Sequence, residues 1–420
     1  MALSLPEVPP TAGLLDRYRH VRAVSEALCA PLSKEDMVVQ SMPDVSPTKW
    51  HLAHVSWFFE TLVLREHVAE YRPLDPAYEV LFNSYYNSIG EQFPRSRRGL
   101  LSRPGVDEVL EYRARVDAHM HRLLERGVDD ALAKVVEVGL HHEMQHQELL
   151  LMDILHVLAQ NPLAPAYLDE QLPRGQSPAA LEFEGIAGGL VEIGHAGDGF
   201  CFDNEGPRHK VWLDDFALGR RLVTNGEYLE FIVDGGYERP LLWLSDGFAW
   251  VRQEHVAAPA YWRKQRGEWF EFGLHGLAPV DPALPVCHLS YYEADAFATW
   301  AGARLPTEAE WEHASAGANS RGTYMSSLRL HPRPADLEDR LQQLFGDVWE
   351  WTQSAYAPYP GFAPASGALG EYNGKFMANQ LVLRGGACVT PPGHVRGSYR
   401  NFYYPHQRWM FSGLRLARGA

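Results

Sequence analysis

A two-domain α+β chain, a helical bundle followed by a larger domain of short strands and packed loops, is what these 420 residues predict. Three observations carry that expectation. Four long amphipathic stretches lie before residue 160, and a segment holding Pro162, Pro165, Pro173 and Pro178 follows them. The remainder is dense in Gly, Trp, Tyr and short polar turns, with no long regular stretch, which is the pattern of short strands and packed loops. The expected division is a bundle over 1–160, a linker over 161–180 and a second domain over 181–420.

The bundle helices are expected over Ala12 to Leu28, Trp50 to Leu64, Gly105 to Arg126 and Asp129 to Leu158. The last follows Gly127, takes Asp129 as its N-cap, and must stop by Asn161-Pro162 because proline cannot continue a helix. Proline spacing makes the next segment an ordered or extended linker. In the second domain only Asn225 to Val233 and Tyr291 to Ala301 carry a convincing helical pattern. No tandem repeat or low-complexity tract interrupts it.

Composition narrows the function. Lys and Arg total 38 against 53 Asp and Glu, a net charge of -15, which argues against nucleic acid and for a small-molecule partner. No stretch approaches the roughly 18 unbroken apolar residues of a membrane helix. The start, MALSLPEVPP, has neither a basic nor an apolar targeting region, so a cytoplasmic protein with no membrane partner is expected. Cys29, Cys201, Cys287 and Cys388 are scattered with no CxxC pair, which reads as buried reduced thiols rather than a disulfide framework or a cysteine-rich zinc site.

The chemistry concentrates in histidine. His142 and His146 are four apart in the fourth helix and so share a face, from which both imidazoles can reach one ion. A third ligand must come from elsewhere, and His51 and His54 on the second helix, three apart, can each turn inward. Bundles commonly assemble metal sites from facing helices. His142-Glu143-Met144-Gln145-His146 also matches the zincin motif, in which Glu143 would be the general base of a zinc hydrolase. Against this, Gln147, Glu148 and a leucine run simply extend the helix where a metzincin would continue with Gly and His. A metal-free binding module is the third reading. Three neutral imidazoles leave up to three positions open on an octahedral ion, enough for a thiolate, an imidazole and oxygen, and this ligand set admits zinc or copper as well as iron.

Seven ordered blocks give the second domain a resemblance to the formylglycine-generating-enzyme (sulfatase-modifying-factor) fold, with its C-type-lectin-like architecture. They are Gly188-Gly189 with Glu192-Ile193-Gly194, Asp203 to Pro207, Val223 to Tyr228, Arg304 to Glu312, Gly346 to Trp351, Arg384 to Gly386 and Gly413 to Ala417. The formylglycine enzymes use cysteines near the end of this fold, where only Cys388 stands here, so their protein-modifying activity is not expected. The bundle resembles the DinB-like fold through Pro47 to His54 and His142 to Glu148.

That order of domains resembles the ergothioneine-synthesising sulfoxide synthases, non-haem iron enzymes, over nearly the whole chain. The resemblance implies Fe(II) held by His54, His142 and His146, with His51 supporting the site or facing solvent. It implies an oxygen-dependent reaction joining a cysteine-type thiol to C-2 of the imidazole of hercynine (Nα-trimethylhistidine) and releasing the sulfoxide. The partners it implies are hercynine, cysteine and O2. Gln145 matches the glutamine at the substrate imidazole, Arg95 and Arg98 match paired arginines suited to a carboxylate, and Tyr85 and Tyr86 match a catalytic tyrosine pair. Asn401 and Phe402 match the wall at the trimethylammonium, where aromatic faces suit a cation that donates no hydrogen bond. Tyr403 stands where synthases of γ-glutamylcysteine carry an acid, which favours free L-cysteine. γ-Glutamylcysteine and a selenium donor are the alternatives within the family. The site is expected between the domains.

Overall fold

The computed structural model describes residues 3–6, 12–176, 180–318, 322–336 and 340–419; Pro178 of the expected linker lies outside them. The chain forms two compact units, Met1–Leu168 with Ala365–Tyr372, and Asp169–Pro364 with Asn373–Ala420. No helix among the described residues is long and apolar enough to cross a membrane.

The first unit is built on four helices, α1 (Leu14–Cys29), α2 (Thr48–Phe59), α3 (Val106–Glu125) and α4 (Asp130–Ala159). Asp129 caps α4 as the sequence predicts, its carboxylate accepting from Leu132 N at 2.8 Å. Every residue of α2 is buried, so its neighbours cover it on all sides. Beyond Phe59 the helix does not run on regularly to Leu64 but widens into a π turn, Glu60–Leu64. Such turns occur mostly as local bulges and frequently at functional sites. The buried Glu60 carboxylate there accepts hydrogen bonds from Tyr71 and, at 2.7 Å, from Tyr112.

The α+β expectation holds, with two corrections of detail. Residues 161–168 pack with the bundle rather than forming a linker, Tyr167 Oη donating to Leu28 O at 2.6 Å. Residues 365–372, expected in the second domain, belong to the first: the Glu371 carboxylate accepts from Asn87 N at 2.9 Å and Ser88 N at 2.8 Å.

The second unit is a set of small sheets joined by loops. Leu381–Arg384 pairs antiparallel with both Asn401–Tyr403 and Trp349–Ala355, and the last pairs in parallel with Ser412–Gly413. A second sheet is centred on Phe216–Gly219, flanked by Phe183–Ile186 and Ala417–Gly419. Ile193, Leu213, Phe216, Leu218, Ala309, Tyr359 and Ala417 form one core cluster. Four helices are present here where the pattern predicted two: α5 (Asn225–Val233), α6 (Ser245–Gln253), α7 (Tyr291–Trp300) and α8 (Glu308–Ser315).

The quoted sequence blocks turn out to be internal fasteners. Arg415 grips Glu350 through two hydrogen bonds of 2.9 Å, and Trp311 Nε1 donates to the same carboxylate at 3.0 Å. Arg400 grips Glu308 at 2.9 and 3.0 Å, and Arg384 donates to Glu312 at 3.0 Å. The three guanidinium side chains are fully buried. Charges taken out of water need this degree of pairing, which fixes which blocks meet.

Candidate metal centre

His54, His142 and His146 each present a ring nitrogen, and the three lie within 4.8 Å of one another. Helix geometry supplies two of them: His142 and His146 sit one turn apart on α4. The third comes from α2, which approaches α4 closely because Gly139 lies at the crossing. A Cβ at that position would stand 2.5 Å from Phe59 Cε1 and 2.8 Å from Phe58 Cε1. Glycine inside a helix costs about 0.5–1 kcal/mol, a cost tolerated here for the sake of close packing just before His142. Gly139→Ala should force the helices apart, lowering stability by about 1–3 kcal/mol and weakening metal binding. Unchanged denaturant and metal titrations would show that the approach does not matter.

The proton positions follow from the surrounding bonds. His54 Nδ1 donates to Phe82 O at 2.6 Å, so its Nε2 carries the lone pair, and that Nε2 lies 3.1 Å from His142 Nε2. Two nitrogens each about 2.1 Å from one ion and at right angles are about 3 Å apart, so this spacing suits a shared ion. His142 Nδ1 is buried without a hydrogen-bond partner. Burial holds His54 and His146 well below the ordinary histidine range and takes His142 to about 3, leaving all three neutral at pH 7. Neutral imidazoles converging without a carboxylate among them form a donor set that fits a divalent transition metal.

Behind these rings lies a further histidine. His51 Nδ1 is 2.9 Å from His146 Nδ1, and His51 Nε2 is 3.0 Å from Asp153 Oδ2. It is buried and does not face solvent.

Glu143 faces away from this cluster. Its carboxylate accepts from Arg113 Nη2 at 2.6 Å, Ser25 Oγ at 2.7 Å and Arg22 Nη1 at 2.9 Å. Burial opposes its charge, but Arg113 and Arg22 outweigh burial and take its pKa down to about 2. A carboxylate so held cannot accept a proton from a metal-bound water near neutral pH, which leaves the zinc-hydrolase reading without its general base.

The remaining expected residues separate. Arg98 is buried, its guanidinium 3.4 Å above the Trp50 ring, and Trp50 in turn stacks on His54 with centroids 4.7 Å apart. It donates to Ser46 Oγ at 2.9 Å and Ser84 Oγ at 3.2 Å. No carboxylate among the described residues forms an ion pair with it, and burial pushes its pKa well down. Arg95 is exposed and donates to Asp44 O instead, so the arginine pair is split between core and surface. Tyr85 and Tyr86 stack at 4.6 Å. Tyr86 is fully buried, and burial pushes its pKa well up, with Tyr85 and Tyr372 adding to the effect.

Tyr372, absent from the sequence-based set, is the phenol beside the histidines. Its ring lies 5.7 Å from that of His142 and 6.3 Å from that of Tyr85, and its hydroxyl donates to Gln145 Oε1. It arrives on the 365–372 segment, which has no helical or strand periodicity to announce it. Within the second unit, Asn401, Phe402 and Tyr403 form a half-buried strand at the sheet edge. Phe402 stacks on Tyr356 at 4.0 Å, Tyr403 packs edge-on against Trp409, and Asn401 Oδ1 accepts from Phe402 N at 2.9 Å. Cys388 is fully buried.

Comparison with known proteins agrees with this architecture. Residues 17–157 match the DinB superfamily, and residues 172–343 and 338–420 match the sulfatase-modifying factor enzyme 1-like domain. The hercynine oxygenase of Mycolicibacterium smegmatis is 34% identical over 407 residues, covering 90% of this chain and 92% of that protein. That of Mycobacterium tuberculosis is 34% identical over 408 residues, covering 91% and 93%. A formylglycine-generating enzyme from Thermomonospora curvata is 33% identical over 234 residues, covering 49% of this chain and 72% of that protein. With its bundle and its second domain both matched, and a likeness spanning nine-tenths of its length, the chain belongs to the hercynine oxygenase family.

Proposed function

We propose that this chain is an Fe(II)-dependent sulfoxide synthase that joins the sulfur of L-cysteine to C-2 of the hercynine imidazole, in the formation of ergothioneine. The observation that carries the reading is the buried cluster of His54, His142 and His146 in a chain of this family. The balance is one hercynine C–H and one cysteine S–H consumed with O2, giving the C–S bond, the sulfoxide oxygen and one water.

His54, His142 and His146 would hold the iron, which supplies the redox chemistry that couples oxygen to the thiol and the imidazole. Arg98 would take the cysteine carboxylate: a buried guanidinium without an ion-pair partner is stabilised by an incoming anion, and its planar fork suits a carboxylate. Arg95, at the surface, would guide that anion at longer range. Gln145 would orient the hercynine imidazole, with Tyr372 fixing the amide through its Oε1. Asn401, Phe402 and Tyr403 would meet the trimethylammonium, to which an aromatic face offers attraction without needing a hydrogen bond.

The sulfoxide-forming step needs a proton at the oxygen being transferred, and a phenol with an unperturbed pKa of about 10 keeps its proton until then. Tyr372 is placed for direct donation by its proximity to His142, while Tyr85 lies next in line and Tyr86 behind it. After anaerobic loading with Fe(II), hercynine, cysteine and oxygen should give hercynyl-cysteine sulfoxide by mass spectrometry. Tyr372→Phe should lower that product about 10²-fold or more and divert turnover to oxidised cysteine, with smaller shifts for Tyr85→Phe and Tyr86→Phe. Equal product ratios in all three variants would remove the tyrosines from the chemistry. Product from γ-glutamylcysteine or a selenium donor, but none from cysteine, would overturn the thiol assignment and leave the family intact.

A further inference from the structure

Three ligand histidines carry three different supports. His54 Nδ1 donates to the neutral Phe82 carbonyl, His142 Nδ1 has no partner, and His146 Nδ1 meets a second histidine. We propose that His51 and Asp153 are positioning residues, a two-step relay that holds His146 in the one tautomer able to bind the metal and passes it part of a carboxylate's charge. This rests on the reading of His146 as an iron ligand.

The direction of each proton is fixed by the end of the chain. Asp153 Oδ2 already accepts Ser46 N–H at 2.8 Å, and as a carboxylate it can only accept from His51 Nε2 at 3.0 Å. His51 therefore carries its proton on Nε2 and a lone pair on Nδ1. The His146 Nδ1 atom 2.9 Å away must then be the donor, which leaves His146 Nε2 bare and facing the cluster. Helix geometry explains why two steps are needed. Asp153 follows His146 by two turns on α4, about 10 Å along the axis, too far for a direct bond. His51, projected from α2 one turn before His54, spans the gap. His51 and Asp153 are each only 3% exposed, so water neither competes for these bonds nor screens the charge.

Support of this kind raises the basicity of a ligand, and its removal typically costs 10–100-fold in metal affinity. The competing account makes His51–Asp153 a buried clamp between α2 and α4, which would affect folding stability alone. Anaerobic Fe(II) titration of the full chain against a chromophoric chelator, with the Fe(III)/Fe(II) potential and the apo melting temperature measured alongside, separates the two.

His51→Phe should bind Fe(II) about 10–100-fold more weakly. His51→Gln, whose amide can accept from His146 and donate to Asp153, should stay within a few-fold of wild type. Asp153→Asn keeps an oxygen for both donors but removes the charge, so the potential should rise, by about 59 mV for each tenfold preference for Fe(III) that is lost. Affinity and potential unchanged in both His51→Phe and Asp153→Asn, with only the melting temperature lowered, would overturn the relay and leave the clamp. Should His51→Phe fail to fold, the contrast between Asp153→Asn and His51→Gln decides, and equal potentials in those two overturn the relay. A wild-type chain that takes up no Fe(II) would overturn the iron reading itself, and the relay with it.

Discussion

His142→Ala should abolish hercynyl-cysteine sulfoxide formation and Fe(II) retention while leaving the apo fold nearly intact. The imidazole removed is buried and neutral, and its Nδ1 has no partner, so no donor or acceptor elsewhere is stranded by its loss. What disappears is the nitrogen 3.1 Å from His54 Nε2, the closest approach between α2 and α4 inside the cluster. Two imidazoles from the remaining set would not hold a labile divalent ion against dilution. Linkage makes this measurable without turnover: a metal present at 100 times its Kd adds about 2.7 kcal/mol to folding stability. Wild type should gain that increment on addition of Fe(II) and His142→Ala should not. A variant that keeps both the increment and the product would remove His142 from the site. His54→Ala should lose the metal equally, but it also strands the Phe82 carbonyl, so its apo form should be the less stable of the two.

The same histidines show how far the sequence could be read. Spacing four apart on a capped amphipathic helix was enough to put His142 and His146 on one face. The choice between His51 and His54 was not determined by spacing, because residues three apart share a face; the resemblance favoured His54, and the structure places it in the cluster with His51 behind. Tyr372 was beyond reach. It lies 227 residues from Gln145 along the chain, in a segment whose one regular element is the short turn Gly367–Glu371. Helix α8 had a readable signal that was passed over, the Thr307 and Glu310 capping box. Helix α6 had none, since its N-cap position is Leu244 and Gly247 weakens its first turn. The arginines Arg95 and Arg98 match one motif, but three residues apart on a 3-10 turn they end in different environments, which depends on what packs against Trp50 rather than on the motif.

Glu143→Gln tests the reading that the His-Glu-x-x-His pattern most readily suggests, and the structure gives the opposite expectation from a metalloprotease. In a zincin, losing the general base abolishes hydrolysis and spares the fold. Here Glu143 and Gln147, four apart, form a separate polar face of α4 directed at α1. Gln147 Nε2 donates to Val21 O at 2.8 Å and Ser25 Oγ at 3.0 Å, beside the Ser25 and Arg22 bonds to Glu143. Neutralising the carboxylate leaves the fully buried Arg113 with only its bond to the partly exposed Glu26 as an ion pair, and removes one of the two carboxylates facing Arg22. Breaking a buried pair in this way costs about 3–5 kcal/mol, so Glu143→Gln should unfold at markedly lower temperature and denaturant concentration. The pH dependence follows from the same pair. The folded pKa of about 2 lies below the ordinary carboxylate value near 4.5, so the stabilisation is complete above about pH 4.5 and is lost as pH falls towards 2. Its size is about 3 kcal/mol, and the stability difference between wild type and Glu143→Gln should narrow by that amount across this window. A variant as stable as wild type at pH 7 but catalytically dead would return Glu143 to the chemistry.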